Sequence, residues 1–370
     1  MGAIIGGSTN GKFAAPGSDR LEVLSVVVNN ACNLACKHCY LEPPRRDKYL
    51  THDEWRQLLG SVLDDLRPST LAFVGKEPFL SPHSAHVLFD ALDMRREVQH
   101  DDRRTEIGVI TNGTLLHRHR AQIEDNPPDY IDISIDGLPA AHDFIRGNGA
   151  FEQVRPNLEW LVESFPGNVW LTHTLFDSNI RDLPAFVQFY NSSHEISHFT
   201  VGFYRPQFYT DPGLVLWQSD FERFVFDDLA SLTRLQLAQP ATVVVHVDSM
   251  APVSMELFSA AGWIGSREPL CAEEHVFDNG LTLRFHKVAM PIGLWRSARI
   301  TPEGYWLGAE DVTRTKDYER YAVARARDHG LDARKLYNAG MESDRLRTLL
   351  NRGESLYSIV PTLLKAENAA

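Results

Sequence analysis

Cysteine is scarce in this chain, with four among 370 residues, and three of the four fall in one stretch, "CNLACKHCY" (Cys32 to Tyr40). So few and so clustered, they do not read as a disulfide framework; a tight group of thiols points to metal binding or catalysis. Positive charge is in deficit. Thirty-seven Lys and Arg against 49 Asp and Glu leave a formal net charge of -12, which argues against a nucleic-acid surface or a basic membrane-binding face. No apolar run approaches the length of a membrane span, and the first twenty residues lack a charged start followed by an apolar block. Internal repeats and low-complexity linkers are missing too. The expectation is a cytoplasmic protein with no nucleic-acid and no membrane partner.

What is present is a globular composition, 43% hydrophobic and 23% charged, enough for one large domain or two modest ones. Apolar, β-branched runs alternate with amphipathic stretches over the first two thirds of the chain, as in a parallel sheet covered by helices. Six strands are expected, at Leu21 to Asn29, Ser69 to Gly75, Glu106 to Gly113, Tyr130 to Gly137, Asn168 to Phe176 and Ile196 to Phe203. Between them, Thr51 and Glu54 have the spacing of a capping box, and further helices are expected near Ala85 to Arg96, Phe151 to Glu163, Leu183 to Tyr190 and Asp220 to Leu235. Six such units form a partial (β/α)6 TIM-like barrel, a fold whose sites lie at the C-terminal ends of the strands. Beyond Leu235 the rhythm changes. "ATVVVHVDS" reads as another strand, "GLTLRFHKVAM" and "SARITPEGYWLGAED" read as an antiparallel pair with Pro-Glu-Gly at the turn, and the tail is charged and helical. The chain thus divides into a tail over 1–20, the barrel over 21–249 and a smaller α+β region over 250–370.

Three occupants compete for Cys32, Cys36 and Cys39. A structural zinc takes four ligands, usually as two separated pairs, and there is no second pair. Unliganded buried thiols favour strands and helix faces, whereas these sit in a polar, turn-like segment just after a strand. An iron-sulfur cluster ordinarily takes four cysteines; with three, one iron stays open for chemistry. A C-x-x-x-C-x-x-C run, followed in order by "GKEP" (Gly75 to Pro78), "TNG" (Thr111 to Gly113), "SIDG" (Ser134 to Gly137) and "HDFIRGNGAF" (His142 to Phe151), each at or after a strand end, resembles the radical S-adenosylmethionine (SAM) enzymes over Leu21 to Phe203.

The resemblance implies two cofactors, a [4Fe-4S] cluster on the three cysteines and SAM on its open iron, and cleavage of SAM to a 5'-deoxyadenosyl radical that removes a hydrogen atom from a substrate carbon. It implies that Gly75, Lys76, Glu77 and Pro78 receive the SAM ammonium, with Glu77 carrying the contact. Lys76 stands where the family usually has Gly. By the same resemblance His38 packs near the adenine, Asn112, Ser134 and Asp136 belong to the SAM site with Ser134 at the ribose, and Arg146 pairs with the SAM carboxylate, to which a planar guanidinium is suited. An electron donor such as flavodoxin or ferredoxin is implied as a partner.

"SIDG...HDFIRGNGAFEQV" looks like the SPASM/twitch branch, which includes peptide maturases, sulfatase-maturing enzymes and aminoglycoside dehydrogenases. Members usually carry extra clusters in a C-terminal extension. One remaining thiol, Cys271, cannot hold a second cubane, so the region over 250–370 resembles a degenerate version of that extension. Cys271 reads either as an inert thiol or relic, or as a hydrogen-atom donor to a substrate radical, as in an epimerisation. His173, Tyr204 and Arg205 are candidate substrate contacts at strand ends. The short segment before the first strand favours a small-molecule substrate, as in natural-product biosynthesis, over a peptide. Two rivals stand from other classes. "HEISH" (His194 to His198) matches the H-E-x-x-H zinc-protease pattern, which requires a helix, yet runs into strand-like "FTVGF". A cluster protein that only transfers electrons would form no 5'-deoxyadenosine.

Overall fold

In the computed structural model, the described residues are 21–39, 49–98, 104–204, 214, 216, 218–248, 257–265, 272–288, 297–307 and 322–342. The expected strands all form: β1 (Val23–Val27), β2 (Thr70–Val74), β3 (Glu106–Thr111), β4 (Tyr130–Ser134), β5 (Asn168–Leu175) and β6 (His198–Phe203). Their sequences, such as VLSVV and TLAFV, are β-branched and apolar on both faces, and consecutive strands pair in parallel, as expected when both faces are covered. Helices α1 (His52–Ser61), α2 (Pro82–Val98), α3 (Arg120–Asp125), α4 (Pro139–Arg146), α5 (Ala150–Ser164) and α6 (Leu183–His194) fill the connections. The capping box is real: Thr51 Oγ1 accepts from Glu54 N at 3.3 Å and Glu54 Oε2 accepts from Thr51 N at 2.7 Å. The helix expected at Asp220 to Leu235 is α7 (Gln218–Arg223) and α8 (Leu229–Leu232), joined by a π-helical turn at Phe224–Asp228.

The later strands extend the same sheet at both ends. β7 (Ala241–Asp248) pairs in parallel with β6, β9 (Leu281–Val288) pairs in parallel with β7, and β8 (Ala272–Val276) edges β9 antiparallel. At the opposite end β10 (Ser297–Ile300) lies parallel to β1, and β11 (Tyr305–Leu307) and β12 (Ala322–Arg325) follow antiparallel. Among the described residues the result is one twelve-stranded sheet of order β12-β11-β10-β1-β2-β3-β4-β5-β6-β7-β9-β8, not closed on itself, with α9 (Ala333–Glu342) following in the chain. This corrects the expected antiparallel pair. β9 and β10 do not meet; the Pro302-Glu303-Gly304 turn instead joins β10 to β11, where Gly304 N donates to Thr301 O. Local composition identified a hairpin but not its partner, because pairing is set by which sheet edge is open.

Side chains alternate across each strand. Leu24, Leu71, Ile107, Ile131 and Leu171 face the helices in the main core, whereas Val27, Ala72, Val74, Tyr130 and Trp170 form a separate cluster on the concave face. The lower end of that face has an aromatic floor: Tyr130 stacks on Trp170 at 4.2 Å between centroids, and Trp170 meets His198 at 4.7 Å. Gly108 makes room for it. A Cβ there would lie 2.0 Å from Tyr130 Cζ, with two more ring atoms at 2.2 Å. Gly108→Ala is therefore expected to cost at least the ~1–3 kcal/mol of a forced overpacking, read as a lowered urea midpoint with unchanged slope. No helix among the described residues is long and apolar enough to cross a membrane.

Candidate active site

The cysteine loop leaves the C-terminal end of β1 and is tied to its neighbours on both sides. Asn29 Nδ2 donates to the Glu77 carbonyl at 2.9 Å, and Glu77 N donates to the Ala31 carbonyl at 3.1 Å, joining the ends of β1 and β2. Asn33 Nδ2 donates to Thr114 Oγ1 at 2.9 Å and Asn112 Nδ2 donates to Asn33 Oδ1 at 3.0 Å, which fastens the loop to the end of β3. Lys37 N donates to Ile145 O at 2.9 Å, and Lys37 Nζ lies 3.2 Å from the centroid of the Phe144 ring, fastening it to α4. Cys32, Cys36 and Cys39 are outside any disulfide and half-buried.

Cys32 Sγ accepts from Leu34 N at 3.3 Å and lies 3.6 Å from Asn112 Nδ2, the kind of donor that stabilises a sulfur ligand. Burial pushes the Cys36 thiol up to about 12 and raises Cys32 as well, so three thiolates together need a compensating cation. Among the described residues no three His, Cys, Asp or Glu side chains converge on a point as a single ion would require. Three thiols on one loop are one short of the four ligands a structural zinc takes, and they fit a cluster that keeps one iron open.

Glu77 is fully buried, and both carboxylate oxygens are occupied: Oε1 accepts from Thr111 Oγ1 at 2.8 Å and Phe79 N at 3.0 Å, Oε2 from Asn112 N at 2.9 Å. Burial raises its carboxyl against those three bonds. Its carboxylate latches the end of β2 to the end of β3, and Gly75 and Lys76 beside it are half-buried. Gly75 adopts φ +124°, and a Cβ there would come within 2.8 Å of Val27 Cγ1.

Asp136 and Arg146 meet above the end of β4. Arg146 Nε donates to Asp136 Oδ2 at 2.6 Å, and His38 Nε2 stands 3.7 Å from the same oxygen. Asp136 Oδ1 accepts from Thr174 N at 3.0 Å. Burial pushes the Asp136 carboxyl up, but Arg146 first and the surrounding histidines after it outweigh that and hold it well below the usual carboxylate range. Burial keeps His38 neutral, at about 4. The His38 ring packs on Phe176 at 5.3 Å, and Phe176 on Tyr204 at 5.4 Å, so Tyr204 reaches the site through one intervening ring. Ser134 is half-buried on the concave face.

His173 is not on that face. Its register neighbours Leu171 and Leu175 belong to the helix-side core, its ring stacks on Phe186 of α6 at 4.2 Å, and its Nδ1 is 3.0 Å from the Ile135 carbonyl. This corrects its placement as a lumen residue: the alternation on β5 gives that face to Trp170, Thr172 and Thr174. Arg205 and Cys271 lie outside the described residues. "HEISH" is not a helical pair, because α6 stops at His194, Glu195 is a left-handed cap at φ 53°, and His198 opens β6 against Trp170. Asn29, Asn33, Thr114 and Phe176 were missed by the sequence reading; only Asn33, between two of the cysteines, carried a positional hint.

On the concave face, Asp132 is fully buried, its Oδ2 accepting from Thr172 Oγ1 at 2.7 Å, and burial raises it to about 6 despite that bond. A cleft of about 630 Å³ lies at the other end of the sheet, lined by Arg95, Arg104 and Asp129. Arg95 and Arg104 pair there with Asp129, and Arg96, which also lines the cleft, donates to the Asp125 carbonyl.

Comparison with known proteins agrees on the fold. A family model for the Radical SAM superfamily matches residues 26–190. Among curated proteins, the chain is 26% identical over 161 residues to a probable GTP 3',8-cyclase of Methanococcus maripaludis, covering 43% of this chain and 51% of that protein. It is 28% identical over 123 residues to GTP 3',8-cyclase 2 of Mycobacterium tuberculosis, 32% of each chain. The chain spans about half the length of the first of these relatives and a third of the second. Among solved structures, native anSMEcpe with bound AdoMet superposes with a TM-score of 0.59 at 12% identity, over 88% of this chain and 82% of that one. Streptococcus suis SuiB bound to precursor peptide SuiA gives 0.55 at 13%, over 79% and 60%.

Proposed function

We propose that this chain, whose residues 26–190 are a radical SAM domain and which accordingly uses SAM and a [4Fe-4S] cluster, removes a hydrogen atom from a carbon of a small-molecule substrate in an epimerisation, rearrangement or dehydrogenation. The observation that carries the reading is the cysteine loop itself. Three half-buried thiols share one loop, backed by amide donors, beside a buried Asp136-Arg146 pair at the strand ends. When bound, the reduced cluster supplies the electron that cleaves SAM to a 5'-deoxyadenosyl radical.

Each residue then has a task. Cys32, Cys36 and Cys39 hold the cluster and leave one iron for SAM. The Gly75-Lys76 backbone receives the SAM ammonium, in a loop that Glu77 and Pro78 hold in place. Asn112 orients Cys32 and Asn33. Ser134 meets the ribose. The neutral His38 ring packs beside the adenine, and Arg146, oriented by Asp136, offers its remaining donors to the SAM carboxylate. Buried side chains around the site restrict water, which protects a radical from quenching. The expected result with anaerobically purified protein is four irons per chain with matching sulfide, and 5'-deoxyadenosine on adding SAM and dithionite. One zinc and no 5'-deoxyadenosine overturn the reading; a loaded cluster without 5'-deoxyadenosine favours an electron carrier.

A peptide substrate is the second reading, since SuiB is a structural neighbour seen with its precursor peptide. A hydrogen-atom return from Cys271 remains a separate proposal, read as one solvent deuterium at the reacting carbon.

A further inference from the structure

β10 closes on β1 with Arg299 in register with Ser25. Its neighbours Ala298 and Ile300 lie in the helix-side core, so alternation sends Arg299 to the concave face, the side of Val27 and Ala72. There it is 3% exposed, and its Nε and Nη2 meet no hydrogen-bond partner. Glu303, four residues on, has its Oε1 engaged, accepting from Asn30 Nδ2 at 3.2 Å. A guanidinium held this way is one of the more costly arrangements a fold can keep, because a buried charge is ordinarily paired. Across the same face, Asp132 Oδ1 on β4 and Thr200 Oγ1 on β6 are buried without a partner. Half-buried Ile110, Ser134 and Thr172 mark where solvent reaches that face. The concave face therefore carries a cation at the β10 end and acceptors at the β4 to β6 end.

We propose that Arg299 anchors an anionic group of the substrate, a carboxylate or a phosphate, with Asp132 and Thr200 taking hydrogen-bond donors of the same molecule. This rests on the reading of the lumen as a substrate site, but its test does not depend on SAM cleavage. The cluster-loaded protein is titrated with inorganic phosphate and, separately, with acetate, in chloride buffer at constant ionic strength, following Tm and tryptophan fluorescence. One of the two anions is expected to raise Tm by about 3–5 °C, saturating in the millimolar range. A response to phosphate alone assigns a phosphorylated substrate, and a response to acetate alone a carboxylate. In Arg299→Gln the shift falls at least fivefold, and Arg299→Lys keeps most of it. Without added anion, Arg299→Gln melts no lower than wild type, since it removes an unpaired buried charge.

Three results overturn the proposal: neither anion shifts wild type beyond chloride, Arg299→Gln responds as wild type does, or Arg299→Gln loses stability in anion-free buffer, which marks a structural cation. Should Arg299→Gln fail to fold, it counts as that third result. The wild-type titration needs no variant and tests anion binding in every case.

Discussion

Cys36→Ser is expected to leave less than one iron per chain after anaerobic reconstitution and to lower 5'-deoxyadenosine formation by at least ~100-fold, to the level of buffer. The reasoning is a count of donors. Three thiols on one loop are the proposed ligand set, and Cys36 is its centre, held by the turn in which Cys39 N donates to Cys36 O at 3.0 Å. With two thiolates left, two of four irons instead of one lack a protein ligand, and a hydroxyl does not replace a thiolate toward iron. Iron analysis and chromatography of the SAM products read the two effects independently. A serine variant that keeps four irons contradicts the assignment, because another donor, Cys271 among them, would then be completing the set.

The second large effect is on stability. Arg146→Met leaves the Asp136 carboxylate fully buried with its cation gone, and breaking such a pair costs about 3–5 kcal/mol. The pH dependence should also invert. In wild type Asp136 is held below the usual carboxylate range, so its contribution is present above the unfolded-state value near 4 and is lost only as pH falls toward the folded one. Without Arg146, burial is the largest influence and raises the carboxyl. The folded state then holds a proton that the unfolded chain releases, and stability declines as pH rises. Urea unfolding at pH 5 and pH 8 decides it. The variant should be weaker at pH 8 than at pH 5, and adding Asp136→Asn should recover part of the loss. A variant as stable as wild type at pH 8 means that the pair is not the main support of that corner.

The barrel was legible because its strands are β-branched runs separated by amphipathic helices, and because β1 to β6 pair in chain order. The sheet's edges were not, since β10 finds β1 only once the eight strands β2 to β9 have left that edge open. At the site, cysteine spacing identified the loop, but residue type alone could not say which way a side chain turns. Glu77 was expected to face a ligand and turned to Thr111 and Asn112; His173 was expected in the lumen and turned to Phe186. The placement of His173 turns on strand parity, where a shift of one residue decides the face. Arg299 carried no signal in the sequence because its environment is made by register with Ser25, far away in the chain.

The cysteine loop is fastened at β2 through Asn29, at β3 through Asn33 and Asn112, and at α4 through Lys37, and none of these bonds uses iron. Its shape is thus secured by the rest of the fold before any metal arrives. Loading the proposed cluster would then be docking onto a loop the fold already holds, unlike a zinc finger, whose binding energy is spent on folding. The cost moves elsewhere: a receptor that holds half-buried thiols ready is also ready for oxygen, and the interval between folding and loading is when this protein is most vulnerable to oxidation.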